Sequence, residues 1–329
     1  MSTRNRKLSY SLAINEALKQ IMAVDKDVFI IGQGVKSPWY VGNTCKDLIS
    51  LYGEKRVIDT PISENAMTGA AVGASLTGMK AIIMHPRIDF SLYAFDPIIN
   101  QAANWSYMNG GRASVPVVFW LVVNRAGEQA AQHSQALHSL FSHIPGLKIV
   151  APSNAYDVKG LLISAIKDPN PIVFIDDRWL YGKENYVPED IYELPIGKGI
   201  IRNEGTEVTL VSSSFLSTEA IIAVDILQKE GISVELIDLR SLKPLDEGLI
   251  LSSVKKTGRL VIADGSWKTN SISSEISAVV NEKAFGSLKA PVLRLNLPDT
   301  PAPASRILEL EYYITNKEIV NAVRNIIKY

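Results

Sequence analysis

The sequence predicts two α/β domains in tandem, each a doubly wound and mostly parallel sheet with helices on its faces, and three observations carry that reading. Short β-branched runs alternate with longer helical patterns through the first half of the chain, the pattern loses its period between about Tyr186 and Glu204, and a second alternating set follows. The expected boundaries are a first domain over 1–188, a linker over 189–204 and a second domain over 205–329. At 329 residues the chain is long enough for two cores of about 150 residues each.

In the first set, strands are expected at Val28–Gly32, Val57–Thr60, Ala81–Met84, Val117–Val123, Lys148–Ala151 and Pro171–Ile175. Helical patterns lie between them at Tyr10–Val24, Ala66–Leu76, Pro97–Met108 and Ala155–Lys167. Asp96 is placed to cap the third of these helices, and Pro97 suits its first position, where no amide donor is needed. Pro188, Pro195 and isolated charges then break the period. The second set has strands at Glu207–Val211, Ser233–Asp238, Arg259–Ala263 and Val292–Leu295, with helices at Thr218–Glu230, Leu245–Lys256, Glu275–Lys283 and Lys317–Ile327. Thr315-Asn316-Lys317-Glu318 has the form of a capping box, and Ile319, Val320, Val323, Ile326 and Ile327 give the last helix one apolar face for the second sheet.

Lysine plus arginine balance aspartate plus glutamate at 34 each, so no global field would hold nucleic acid or an anionic membrane. Met1–Leu8 is polar and basic, and no apolar stretch approaches the ~20 residues of a membrane span, so a cytoplasmic protein is expected. Cys45 is the only cysteine, which excludes an internal disulfide and a thiolate-rich metal site and suits a reducing compartment.

Doubly wound sheets invite a nucleotide reading, but its phosphate motifs are absent. Gly32-Gln33-Gly34 follows a strand and lacks the third glycine of a dinucleotide fold, and no Gly-Lys-Ser/Thr element exists. His133, His138 and His143 are spaced in fives, a step that rotates each ring by about 140° along a helix, and with His85 they make no zinc pattern.

Two segments place polar residues where a sheet turns. Asp59-Thr60-Pro61-Ile62-Ser63-Glu64-Asn65 leads from a strand end into a glycine- and alanine-rich helix, at the usual ligand position of open α/β sheets. Glu64 there either meets a ligand or complements the helix dipole. Gln129-Ala130-Ala131-Gln132-His133-Ser134-Gln135 follows the long fourth strand, and His133 is either a working group or a hydrogen-bonded surface residue.

Asp59-Thr60-Pro61-Ile62-Ser63-Glu64, Ala131-Gln132-His133-Ser134-Gln135, the run Ile144-Pro145-Gly146-Leu147-Lys148-Ile149-Val150-Ala151-Pro152-Ser153 and Asp157-Val158-Lys159-Gly160-Leu161-Leu162 occur in this order. Together they resemble the beta subunit of the decarboxylating component of the 2-oxo acid dehydrogenases, of which pyruvate dehydrogenase is the best-known member. The resemblance runs over nearly the whole chain and implies a pyrimidine-binding thiamine diphosphate fold followed by a transketolase C-terminal-like domain. It implies that Glu64 hydrogen-bonds the aminopyrimidine ring of thiamine diphosphate, favouring the tautomer that deprotonates the thiazolium carbon. That task needs a carboxyl group in a poorly solvated pocket. It further implies that Ile62 and Phe90 line the cofactor and that His133 stabilises charge at the reacting centre. A potassium ion near Ala165, Asp168 and Asn170 belongs to the same pattern.

Magnesium, which takes oxygen ligands and shares them with phosphate, is held in such enzymes by a Gly-Asp-Gly segment and a later asparagine. The nearest candidate here, Ala263-Asp264-Gly265 with Asn296, lacks the first glycine and lies in the second domain, away from Glu64. In two-subunit relatives that element belongs to the alpha subunit. The resemblance therefore implies an α2β2 heterotetramer, with this chain holding the pyrimidine end of the cofactor.

The chain departs from the pyruvate dehydrogenase pattern at Met84, where an acidic residue is usual, and at Leu121-Val122-Val123-Asn124-Arg125, in place of a Gly-Pro-Asn-Gly-like stretch. His85-Pro86-Arg87-Ile88-Asp89-Phe90 and Asp176-Asp177-Arg178-Trp179-Leu180-Tyr181 look more like a branch that accompanies sugar and surface-polysaccharide pathways. Arg87 and Arg125 serve either an anionic substrate or structural ion pairs. Three functions follow: decarboxylation of a 2-oxo acid with acyl transfer to a lipoylated acyltransferase component, two-carbon transfer to a sugar or aldehyde, and an inert interaction subunit. Retention of both Glu64 and His133 speaks against the last.

Overall fold

A computed structural model describes residues 6–37 and 41–329, so Met1–Asn5 of the basic N-terminal stretch lie outside the described residues. Contacts divide the chain into two units. The first comprises the chain up to Arg125 together with Leu140–Ile196, and the second comprises Ala126–Ser139 and Gly197–Tyr329.

The first unit begins with β1 (Lys7–Ser9), α1 (Tyr10–Val24), β2 (Val28–Gly32), α2 (Leu48–Tyr52), β3 (Val57–Asp59), α3 (Glu64–Ser75) and β4 (Lys80–His85). A 3₁₀ turn (Ile88–Ala94), a π-helical segment (Asp96–Ala103), α4 (Asn104–Met108) and β5 (Val117–Val123) follow. After α5 (His138–His143) come β6 (Lys148–Val150), α6 (Ala155–Lys167), β7 (Ile172–Asp177) and β8 (Glu184–Tyr186). Six strands pair in the order β6-β7-β5-β4-β2-β3, all parallel. β5 has every residue buried, which is why it reads as an unbroken apolar run rather than an alternation. β1 and β8 make a separate antiparallel pair.

Local chemistry fixes the helices that back this sheet. The Ser9 hydroxyl accepts from the Leu12 amide to start α1, and Asn154 accepts from the Asp157 amide at 2.9 Å to start α6. α1 turns Ala13, Ile14, Ala17, Leu18 and Ile21 inward, and it packs on α6. Each fully buried Leu or Ile contributes about 1.5–3 kcal/mol to this contact. Lys159 of α6 is wholly buried, and its ammonium is matched by Glu16 at 2.6 Å and the Pro188 carbonyl at 2.7 Å. In the Pro145-Gly146 turn, Gly146 sits at φ +85°, where a Cβ would lie 2.0 Å from the Ala103 carbonyl oxygen.

Two expectations change in detail. The helix expected over Pro97–Met108 is π-helical from Asp96 to Ala103, and Asp96 lies inside its first turn rather than capping it. Phe95 is already helical at φ −58°, ψ −39°, so the chain arrives from the 3₁₀ turn without the extended residue that a side-chain cap requires. The Asp96 carboxylate instead accepts from the Asn100 side-chain amide. The helix expected from Ala66 begins at Glu64, which makes Glu64 its first residue.

The second unit contains β9 (Ile200–Asn203), β10 (Val208–Ser212), α7 (Phe215–Lys229), β11 (Val234–Asp238), a short β12 (Ser241–Lys243) and α8 (Glu247–Thr257). It ends with β13 (Leu260–Trp267), α9 (Ile272–Ala284), β14 (Leu293–Leu297), α10 (Arg306–Tyr312) and α11 (Asn316–Ile326). Its five-stranded sheet runs β14-β13-β10-β11-β9, parallel except for β9, which pairs antiparallel with β11. The capping box at Thr315 and Glu318 is formed, and Ile319, Val320, Val323 and Ile326 are buried against α7 and the sheet. No helix among the described residues is long and apolar enough to cross a membrane.

Candidate active site

Glu64 is delivered by a turn whose other residues are fixed. Gly32, Met84 and Asp59 are cross-strand partners where β2, β4 and β3 end, and a Cβ on Gly32 would lie 2.6 Å from the Met84 carbonyl oxygen. Only glycine allows the strands to close up here. The Asp59 carboxylate accepts from the Gly34 amide at 2.7 Å, and the Thr60 hydroxyl meets the Met67 sulfur at 3.2 Å. Ile62 is then left 72% exposed, and Glu64 stands in the first turn of α3, where unpaired amides favour a negative charge. Glu64 is half-buried, and its carboxylate makes no hydrogen bond or ion pair to any described residue.

α3 packs against the 3₁₀ turn that carries Phe90, and the Asn65 side chain donates to the Tyr93 carbonyl at 3.3 Å. Phe90 is half-buried in that turn. Ile62, Glu64 and Phe90 therefore belong to the first unit, on the turn into α3 and on the 3₁₀ turn packed against that helix. Beyond Glu64 the exposed face of α3 is Ala66, Gly69, Ala70 and Gly73, with nothing near either glycine.

Behind this surface, Thr68 stands one turn along from Glu64, and its hydroxyl lies 3.1 Å from Nε2 of His85. Both residues are fully buried, and Nδ1 of His85 has no partner among the described residues. Burial pushes the His85 imidazole down to about 4, so the ring is neutral at ordinary pH. Of the two arginines in question, Arg125 is buried and ion-paired with Asp177 at 2.9 Å, and its carbonyl accepts from the Trp179 indole at 2.5 Å. That pair is the ion pair one of its two expected roles called for. Arg87 is half-buried, and its guanidinium donates to the Pro86 carbonyl.

His133 groups with the second unit, on the loop Ala126–Ser139. It is half-buried, and its amide donates to the Ala130 carbonyl at 3.3 Å. At the end of the same loop, Nε2 of His138 lies 3.2 Å from the Asp264 carboxylate, which also accepts from the Ser266 amide and hydroxyl and the Ser273 amide. Burial alone would raise the Asp264 carboxyl, but the hydrogen bond and charge of His138, with the Ser273 and Ser266 donors, hold it below its usual range. Its oxygens are fully engaged, and Asn296 accepts from the Ser273 hydroxyl at 2.8 Å. The Asp264/Asn296 pair is thus occupied with the second unit's own backbone and hydroxyls. Among the described residues no group of three His, Cys, Asp or Glu side chains could hold a metal. At the expected potassium segment, Asp168 pairs with Lys148 at 2.5 Å and accepts from Asn170, while Ala165 is buried in the last turn of α6.

Sequence reasoning did not find the polar cluster inside the first unit. One oxygen of Asp176 accepts from the Trp120 indole at 2.8 Å and the Tyr181 hydroxyl at 2.7 Å, and the other is buried without a partner among the described residues. Burial pushes the Asp176 carboxyl up to about 7, against the pull of both donors. Burial likewise pushes the Cys45 thiol up to about 12. The sequence singles out the segment Asp176–Tyr181, which ends an apolar run on two successive aspartates, but nothing in it points to Trp120 as the partner.

Comparison with known proteins matches both units. Residues 6–183 match the family described as transketolase, pyrimidine binding domain, and residues 197–319 the family described as transketolase, C-terminal domain. The chain is 44% identical to the acetoin:2,6-dichlorophenolindophenol oxidoreductase subunit beta of Cupriavidus necator, over 98% of each chain. It is 39% identical to the pyruvate dehydrogenase E1 component subunit beta of Rickettsia felis, over 96% of this chain and 97% of that one. A solved structure described as a split gene transketolase, inactive beta4 tetramer, superposes with a TM-score of 0.81 over 98% of each chain at 21% identity, a likeness of fold.

Proposed function

This chain belongs to the transketolase-like thiamine diphosphate family, among the beta subunits of 2-oxo acid and acetoin dehydrogenases, and on that premise we propose that it supplies the pyrimidine half of a shared active site. The observation that carries the proposal is Glu64: a half-buried carboxylate at a helix N-terminus with no partner among the described residues, beside an exposed Ile62. An acid that must hydrogen-bond a heterocycle needs a free oxygen and a dry surrounding. The chain provides the first, and an alpha subunit closing over α3 provides the second.

In this reading thiamine diphosphate, when bound, would supply a nucleophilic carbon and an electron sink for cleavage of a carbon–carbon bond in the substrate. Glu64 holds a ring nitrogen, and Phe90 and Ile62 present apolar surface to the ring. His133 stabilises charge on the substrate, a pyruvate-type 2-oxo acid or acetoin, and the acyl unit passes to a lipoyl carrier. Magnesium takes its ligands from the alpha subunit of an α2β2 tetramer working in the cytoplasm. A potassium ion at the end of α6 would use backbone oxygens. The Ala165 carbonyl suits it, because the residue four places on is Pro169, which has no amide to offer.

Calorimetric titration of thiamine diphosphate and magnesium tests the proposal, first into this chain alone and then into its mixture with the alpha subunit. Tight binding is expected only in the mixture. Equally tight binding to the chain alone would mean a complete site within it and end the half-site reading.

A further inference from the structure

We infer that Glu309 is a positioning residue for His133, acting through the backbone of the loop that carries the histidine. The inference rests on the reading of His133 as a group that meets substrate. The loop opens with Ala126, Gly127, Glu128 and Ala130 all in the left-handed region, at φ values of 50°, 74°, 61° and 60°. Side chains with a Cβ avoid that region, and such a run persists only where its surroundings over-determine it.

What over-determines it is α10 and the residue that follows. The Ala126 amide donates to the Tyr313 hydroxyl at 3.3 Å, and the Glu128 amide donates to Oε2 of Glu309 at 3.1 Å. Glu309 is only 4% exposed, and its other oxygen, Oε1, is buried with no partner among the described residues. A carboxyl group so placed is a poor choice for stability, since one amide does not offset the loss of water around both oxygens. It is a good choice for fixing one peptide in an unfavourable conformation. The far end of the loop is fixed as well, by His138 on Asp264. His133 lies midway between Glu128 and His138, and its amide closes a turn on Ala130. The second unit therefore sets where this histidine points.

The test uses Glu309→Met, which keeps volume and removes the acceptor, and Glu309→Gln, which keeps an acceptor oxygen. Amide hydrogen exchange is followed on the full chain. Turnover is followed in the enzyme reassembled with its alpha subunit, as 2,6-dichlorophenolindophenol reduction on pyruvate or acetoin. Glu309→Met should raise exchange of the 126–130 amides tenfold or more and leave α7 and α9 unchanged. It should lower kcat at least tenfold at constant KM. Combined with His133→Ala it should cost nothing beyond His133→Ala alone. Glu309→Gln should restore both readouts to within threefold. Unchanged exchange in Glu309→Met, a Gln variant as impaired as the Met variant, or a double variant that multiplies the two single losses would overturn the inference. Full turnover by His133→Ala alone would instead remove His133 from the chemistry, and the exchange data would still decide whether Glu309 holds the loop.

Discussion

Thr68, one helical turn from Glu64, meets His85 across 3.1 Å in a place that solvent does not reach. A neutral imidazole is built into the support of the helix that presents the acid. Because burial lowers the folded pKa of His85 to about 4, the unfolded chain takes up this proton first as pH falls. The stability at stake is fully present above about pH 6.5 and is lost progressively down to about pH 4, at about 1.4 kcal/mol per unit of pKa shift. His85→Gln, which can still bond Thr68, should lose less stability than the wild type between pH 7.5 and 5 in denaturant unfolding. Parallel pH profiles would rule out His85 as the source.

Asp176 carries the opposite sign. Its folded pKa of about 7 lies above the unfolded carboxylate value, so folding favours the protonated form and stability falls as pH rises toward 7. Asp176→Asn keeps an oxygen for Trp120 and Tyr181 and cannot ionise. It should unfold several degrees higher than the wild type at pH 8 and show a much smaller gain at pH 5. An equal gain at both would show that ionisation is not what costs the fold.

Glu64→Gln removes a titratable oxygen without changing volume at a half-exposed position. Turnover of the assembled enzyme should fall by at least about a hundredfold while subunit assembly, read by sedimentation, stays intact. Near-normal activity would take Glu64 out of the reaction.

Gly146→Ala should destabilise the first unit by roughly 2 kcal/mol or more, since φ is +85° and the new methyl would meet the Ala103 carbonyl oxygen at 2.0 Å. The lost backbone fit also touches the π-helical segment that ends at Ala103. A variant with wild-type denaturation midpoint would show that the turn relaxes freely.

The parts of the fold legible in the sequence are those whose ends are written locally. α1 and α6 have the limits their apolar periods and polar caps indicate, and the α11 capping box is formed from the residues that spell it. β9 was not legible, because a four-residue antiparallel edge strand exists only through its pairing with β11, and it lies where prolines and charges erase any period. The site divides the same way. Glu64 and His133 stand out through a recognisable order of motifs, whereas Trp120 with Asp176 and His138 with Asp264 join residues far apart in the chain. No local pattern announces such pairs, since only the folded chain brings them together.

The second unit is assembled from two stretches of chain, and that has a consequence for anyone who dissects the molecule. A fragment cut at residue 197 would strand Asp264 without His138 and Glu309 without the Glu128 amide. A chimaera exchanging the C-terminal half with that of a relative would carry a mismatched clasp unless residues 126–139 travelled with it. The heritable block is discontinuous, so grafts designed on a linear domain boundary would separate the histidine from the scaffold that aims it.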